Sequence, residues 1–353
     1  MNFDFTEDQH TIKRTAREFL GARFPPAEVR RLAGDERGFT DEQWSEMAGL
    51  GWAGIAVGED AGGMGLGTVE LIILAEELGY ALAPSPLHST LCAGQLLAAA
   101  GPSEALGAVA AGERRATVAL WDEDQGWAPD EPTLRGSGSG TLTATKIAVP
   151  DAHAAELFVV AGAQGAHWLV QAGEGVEVEP TPTLDTTRKL STVRLRDAPA
   201  TPLEGDGFGR AWHVIAAATA AESVGVAQRA MEMAVQYARD RRQFGRPIGT
   251  NQAVSHACAQ MLLETEGARS VVYNAGWALD FDPETAALAA SMAKAYASDA
   301  GARVCRASMQ VHGGIGFTWE HDLHFFLKRA EANAHAWGDS RWHRGRVAAL
   351  VPF

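Results

Sequence analysis

Little in this chain is available for covalent or metal cross-linking. Of its 353 residues only three are cysteine, Cys92, Cys258 and Cys305. Their number is odd, their spacing is wide, and no Cys-x-x-Cys or Cys/His ligand pattern occurs. Neither a disulfide framework nor a metal site is therefore expected. Each cysteine falls within an apolar helical pattern and reads as a small buried hydrophobe. Positive charge is also scarce: 30 Lys and Arg stand against 44 Asp and Glu, a formal net charge of −14. Phosphate backbones require a basic face, so nucleic acid is excluded as a partner. No apolar run approaches the roughly 18 residues of a membrane span. The N-terminus MNFDFTEDQH lacks the basic and apolar regions of a signal peptide, and a cytoplasmic location is expected.

What is present is ordinary for a globular protein. Hydrophobic residues make up 46% and charged residues 21%, enough for a sizeable core spread over two or three domains. Residues 1–114 read as helical. Thr6 is placed to cap the first helix with Phe5 as its staple, and Thr40 to cap another before DEQW. The glycine-rich stretch Gly51–Gly67 interrupts the helices. It is not a phosphate loop, because no Gly-Lys-Ser/Thr follows a strand there. Residues 115–205 change to short β-branched runs, 117–120, 142–145, 157–160, 168–170 and 193–195, punctuated by glycine and proline as in an antiparallel β domain. GSGSG at 136–140 reads as a turn or loop. Residues 206–353 return to helix. Three apolar stripes recur at steps of three and four, from Ala217 to Ala238, Val254 to Leu279 and Ala286 to Val311, with a break at Asp282-Pro283. A final helix is expected from about His321 to Leu350. The fold class is α+β: an N-terminal helical domain, a middle antiparallel β domain and a C-terminal four-helix bundle.

The segment RDRRQFGRPIGTNQ, Arg239–Gln252, concentrates Arg239, Arg241, Arg242 and Arg246 within an acidic chain. Gly245, Pro247 and Gly249 make it a turn between helices. Guanidinium forks suit a phosphate-bearing ligand. A solvated helix end with basic residues at the negative pole of the helix dipole is the other reading.

The stretch RRQFGRPIGTNQAVSH resembles the signature of the acyl-CoA dehydrogenase flavoproteins, and Gln310–Gly316, QVHGGIG, resembles that family's second cofactor segment. FTEDQHTIKRTAREFL, GWAGIAVGEDAGGMGLG and AEELGYALAPSP are similar to its N-terminal part. The resemblance covers nearly the whole chain, with residues 115–205 matched only loosely. It implies FAD as cofactor, α,β-dehydrogenation of an acyl-CoA thioester, and electron transfer to an electron-transfer flavoprotein. It assigns cofactor contacts to Arg241, Gln243, Phe244, Gln252, Gln310, Gly313 and Gly314, acting across a subunit interface. His312 stands where an aromatic residue is more usual.

Three departures qualify that implication. The place of the family's catalytic glutamate holds Gly338, with Asp339 one position on. The alternative glutamate site holds Ile215 and Ala216, with Glu222 about two turns later. The flavin- and substrate-contacting segment of the β domain is replaced by Gly126-Trp127-Ala128-Pro129. Such losses resemble the short, base-lacking subunit of bacterial heteromeric (steroid-type) acyl-CoA dehydrogenases, in which a second family subunit carries the base. Two alternatives stay open: a self-sufficient homo-oligomer using Asp339 or Glu222, and a non-catalytic, flavin-free scaffold.

Overall fold

The computed structural model describes residues 5–124, 128–129, 132–136 and 140–351. Among the described residues six helices come first: α1 (Glu7–Arg23), α2 (Pro26–Ala33), α3 (Asp41–Gly49), α4 (Thr68–Ala81), α5 (Leu87–Ala99) and α6 (Glu104–Ala110). Thr6 and Thr40 each complete a capping box, with Gln9 and Gln43. Phe5 packs edge-on against His10 at 5.4 Å, stapling the first turn. The Gly51–Gly67 stretch forms two short 3-10 turns, Trp52–Gly54 and Glu59–Ala61, and no α-helix.

The strands are β1 (Ala116–Ala119), β2 (Trp121–Asp122), β3 (Thr141–Pro150), β4 (Leu157–Ala161), β5 (His167–Gln171), β6 (Val176–Thr181) and β7 (Leu190–Leu203). They form one sheet in the order β1-β4-β5-β7-β3-β2, with β6 also on β7. β6 was not expected, although Val176 and Val178 alternate with Glu177 and Glu179 at the period of a half-buried strand. The sheet is also not wholly antiparallel. β1 and β4 run parallel, with Ala116 opposite Leu157, because β2 and β3 intervene and let the chain return in the same direction. Leu142, Val149, Phe158, Val160, Val170, Val193 and Leu195 form the core of this layer. Within it the Lys146 ammonium is buried, 2.7 Å from Asp122 and hydrogen-bonded to the carbonyls of Leu120 and Ala161.

The helices resume with α7 (Phe208–Asp240), then a two-residue hairpin pair β8 (Arg242–Gln243) and β9 (Arg246–Pro247). α8 (Gln252–Phe281), α9 (Pro283–His312), α10 (Leu323–His335) and α11 (Ser340–Leu350) follow. Pro283 starts α9 at a position where its missing N–H costs nothing. Helices α7 to α10 form the bundle, and α11 packs on α9. The single final helix expected over His321–Leu350 is in fact two. Trp337 (φ 58°) and Gly338 (φ 98°) take left-handed backbone that no helix continues through, and Asp339 caps a new one.

The described residues cluster into two compact units. One holds the chain up to Arg30, Ile72–Ala83 and Ala216 onward; the other holds Arg31–Leu71 and Pro84–Ile215. In the first unit α1 and α4 join the C-terminal helices. Buried Glu76 of α4 accepts from Lys13 (2.9 Å), Arg269 (3.2 Å) and the Tyr273 hydroxyl. Burial disfavours this carboxylate, but those donors outweigh burial and hold its pKa below the ordinary value. Gly225 lets α7 approach α4, since a Cβ there would collide with the Glu76 carbonyl.

Candidate cofactor-facing site

The site is built at one end of the bundle, within the first unit. α7 ends at Asp240 and the chain turns through the β8–β9 hairpin. Phe244 (φ 52°) and Gly245 (φ 79°) both have positive φ, the requirement of a tight hairpin of this hand. For Phe244 that backbone costs about 1 kcal/mol. The ring recovers none of it by packing, because Phe244 is 99% exposed. Below the tip the turn is well anchored. Ile248 and Val254 pack on Ala234, Ala238, Met261, Val304 and Val311. Arg246 donates to Asn251 Oδ1 at 2.9 Å.

The second segment leaves α9. His312 is its last residue, and Gly313 (φ 65°) opens a 3-10 turn through Phe317. A Cβ on Gly313 or Gly314 would meet nothing within 4 Å, so the backbone there is open to close approach. The two segments are joined by stacking. The rings of Tyr237 and His312 lie 4.6 Å apart at 27°. Tyr237 is one turn before Arg241, whose N–H donates to the Tyr237 carbonyl at 2.8 Å. The structure therefore brings Arg241, Gln243 and Phe244 to the same end as Gln310, Gly313 and Gly314, with Gln252 at the start of α8.

Arg241, Gln243, Gln252 and Gln310 are exposed, and none has a side-chain hydrogen bond or ion pair among the described residues. Arg242 is in the same condition. Here guanidinium donors, amides, an outward aromatic ring and accessible glycine backbone are all presented and unused. That donor set fits an aromatic, pyrophosphate-bearing cofactor.

The remaining candidates lie elsewhere in the bundle. Asp339 is half-buried and its Oδ1 accepts from the Trp342 N–H at 2.8 Å, capping α11. Arg344 of α11 pairs with Asp299 rather than with this carboxylate. The corner at Gly338 is held by Lys294. This fully buried ammonium donates to the carbonyls of Asn333 and Gly338 at 2.9 Å each, and to Ser298 Oγ at 3.0 Å. Burial pushes Lys294 down to about 7, opposed by the carboxylates of Asp339 and Asp299. Glu222 is buried against Arg329, which donates to its Oε1 at 2.7 Å; both side chains are 1% exposed. Ile215 and Ala216 are buried apolar residues. Gly126 and Trp127 lie outside the described residues, as do three positions of the GSGSG loop. Of the cysteines, Cys92 and Cys305 are buried and Cys258 is only half-buried.

Reading the sequence missed Tyr237, Lys294 and Arg329 as site-shaping residues. Lys294 left a signal, since it interrupts the apolar stripe between Ala293 and Ala297. The other two depend on which helices become neighbours.

Comparison with known proteins identifies the family. Residues 6–108 match the acyl-CoA dehydrogenase N-terminal domain and residues 209–351 the acyl-CoA dehydrogenase C-terminal domain. The chain is 30% identical to the acyl-CoA dehydrogenase IpdE2 of Mycolicibacterium smegmatis, over 98% of this chain and 99% of that protein. It is 39% identical to the acyl-CoA dehydrogenase FadE34 of Mycobacterium tuberculosis over 86% of this chain, and spans only 41% of that longer relative. A solved ChsE4-ChsE5 complex from Mycobacterium tuberculosis superposes with a TM-score of 0.89 at 28% identity, covering 100% of each chain. No described helix is long and apolar enough to cross a membrane. The chain belongs to the acyl-CoA dehydrogenase family of FAD-dependent oxidoreductases.

Proposed function

We propose that this chain is the base-lacking subunit of a heteromeric acyl-CoA dehydrogenase acting on a bulky acyl-CoA, such as a steroid side-chain thioester. The observation that carries the reading is a contrast within the bundle. The cofactor-facing residues are exposed and unpartnered, while the acids available for proton abstraction are engaged internally. Asp339 caps α11, and Glu222 is buried on Arg329. A base must reach the substrate α-proton, and a misplacement of about 1 Å costs roughly a hundredfold in rate.

FAD, when bound, supplies the hydride acceptor for α,β-dehydrogenation. In this chain Arg241 would hold its phosphates with forked N–H donors. Phe244 offers an aromatic face, and Gln243, Gln252 and Gln310 offer amide donors and acceptors. Gly313 and Gly314 let backbone approach the cofactor. These residues face a neighbouring subunit, which supplies the catalytic glutamate. An electron-transfer flavoprotein would be the acceptor for the electrons that the cofactor takes up. The buried Glu222 and the capping Asp339 weigh against a self-sufficient enzyme. The unused polar set weighs against a flavin-free scaffold.

The test is dye-coupled oxidation of a panel of acyl-CoAs by the chain alone and with a glutamate-bearing family subunit. Negligible turnover alone and activity with the partner are expected. Robust turnover by the chain alone, abolished in Asp339→Asn, would overturn the reading and make Asp339 the base.

A further inference from the structure

We propose that Tyr237 and His312 are positioning residues: their stacked rings hold the arginine hairpin and the glycine turn in register as one cofactor-facing surface. The inference rests on the cofactor reading given above. It starts from the observation that two segments far apart in sequence are joined by a ring pair close to where each begins. Tyr237 lies one helical turn before Arg241, and the Arg241 carbonyl accepts from the Ile248 N–H at 2.8 Å. The hairpin is thus hung from the end of α7 that carries the tyrosine. His312 lies immediately before Gly313, so its ring direction and the turn's departure angle are set by the same residue.

The histidine is itself held on three sides. Its Nδ1–H donates to the Ser308 carbonyl at 2.8 Å. The Ser308 hydroxyl donates across to the Ala230 carbonyl of α7 at 2.7 Å. The ring of His321 closes the other side at 4.6 Å in an edge contact. His321 Nδ1 accepts from the Leu323 N–H, which ties this third ring to the start of α10. Three rings therefore bridge α7, the end of α9 and the entry to α10 in one ladder. Burial keeps His312 and His321 below the ordinary histidine value. Tyr237 is half-buried while His312 is buried. The tyrosine can therefore be altered with little loss of core.

The experiment strips FAD from the purified protein, with its co-purifying subunit, and measures FAD rebinding by fluorescence quenching. Tyr237→Leu and His312→Leu are each expected to weaken FAD about two- to tenfold, the range for one aromatic pair. The double variant is expected to be little worse than either single one, because both remove the same contact. Tyr237→Phe keeps the ring and is expected to restore wild-type affinity, which loss of a merely structural hydroxyl contact would not predict. Thermal melting of the FAD-free variants separates register from folding. Should His312→Leu fold poorly, Tyr237→Leu against Tyr237→Phe decides the matter alone. Arg241→Ala is the control. If it weakens FAD while Tyr237→Leu binds like wild type, the positioning proposal is overturned and the cofactor reading stands. If Arg241→Ala also binds like wild type, the cofactor reading fails and this proposal falls with it.

Discussion

The ammonium of Lys294 sits 2.9 Å from the carbonyl oxygen of Gly338, buried inside the corner where α10 ends and α11 begins. The corner needs it. α10 terminates with unpaired carbonyls, and Gly338 adds another in left-handed backbone. The Lys294 nitrogen serves Asn333, Gly338 and Ser298 together, although burial makes its charged form costly.

This places a pH dependence on the fold. Lys294 titrates at about 7 in the folded protein, against an ordinary value of 10.5. At pH values between these, the unfolded chain binds the proton and the folded one releases it, so stability rises with pH across that window. The contribution is complete above 10.5 and lost as pH falls to about 7. Urea midpoints of wild type and Lys294→Met from pH 7 to 9.5 check it: the wild type is expected to gain relative to the variant as pH rises. A constant difference would refute the assignment.

The buried pair Glu222–Arg329 offers a second test. Removing one partner leaves an uncompensated buried charge, which costs about 3–5 kcal/mol. Arg329→Met is therefore expected to destabilise strongly in denaturant unfolding. Glu222→Leu combined with Arg329→Met is expected to recover much of that loss, since an apolar pair of similar volume needs no desolvation. Equal instability of single and double variants would show that the charges are not the cause.

For the hairpin, direction matters more than size. Phe244→Asn puts a residue tolerant of positive φ at the exposed tip, where phenylalanine makes no packing. The FAD-free protein is expected to gain up to about 1 kcal/mol in thermal stability, and FAD affinity to fall. A variant that loses stability without losing FAD would reverse both assignments.

On the proposed cofactor role, Arg241→Ala would remove a charge-assisted contact worth roughly 1.5–3 kcal/mol. FAD titration is expected to show that loss, with unfolding midpoints of the FAD-free protein unchanged, because Arg241 has no internal side-chain partner among the described residues.

Assembly with other subunits is expected through the outer face of the C-terminal helices. Leu263, Trp277 and Phe281 of α8, and Met292 and Tyr296 of α9, are large apolar residues left exposed. Light scattering at micromolar concentration is expected to report an oligomer, and Phe281→Glu with Leu263→Glu to shift it toward smaller species. A flavin-bound monomer would remove the basis for a cofactor held between subunits.

What the amino-acid order determined by itself was whatever depends on near neighbours. Thr6 with Gln9, and Thr40 with Gln43, start helices because the capping partners are three residues apart. Asp282-Pro283 divides two helices because proline lacks the N–H that would continue the first. The Arg241–Gln252 and Gln310–Gly316 segments were recognisable because each is a short contiguous run of residue types. The Trp337-Gly338-Asp339 corner was local too, with a glycine stop and an aspartate cap, but the apolar pattern on either side hid it. Tertiary structure alone decided the rest. Glu222 meets Arg329 across 107 positions, and Tyr237 meets His312, only because the helices that carry them become neighbours, with Gly301 of α9 lying against Ser223 of α7 and Ala330 of α10. Phe244 is held at positive φ because the ends of its hairpin are packed into the bundle. An ion pair, a ring stack or a strained tip is a property of two surfaces brought together, and its energy exists only once the intervening chain has folded.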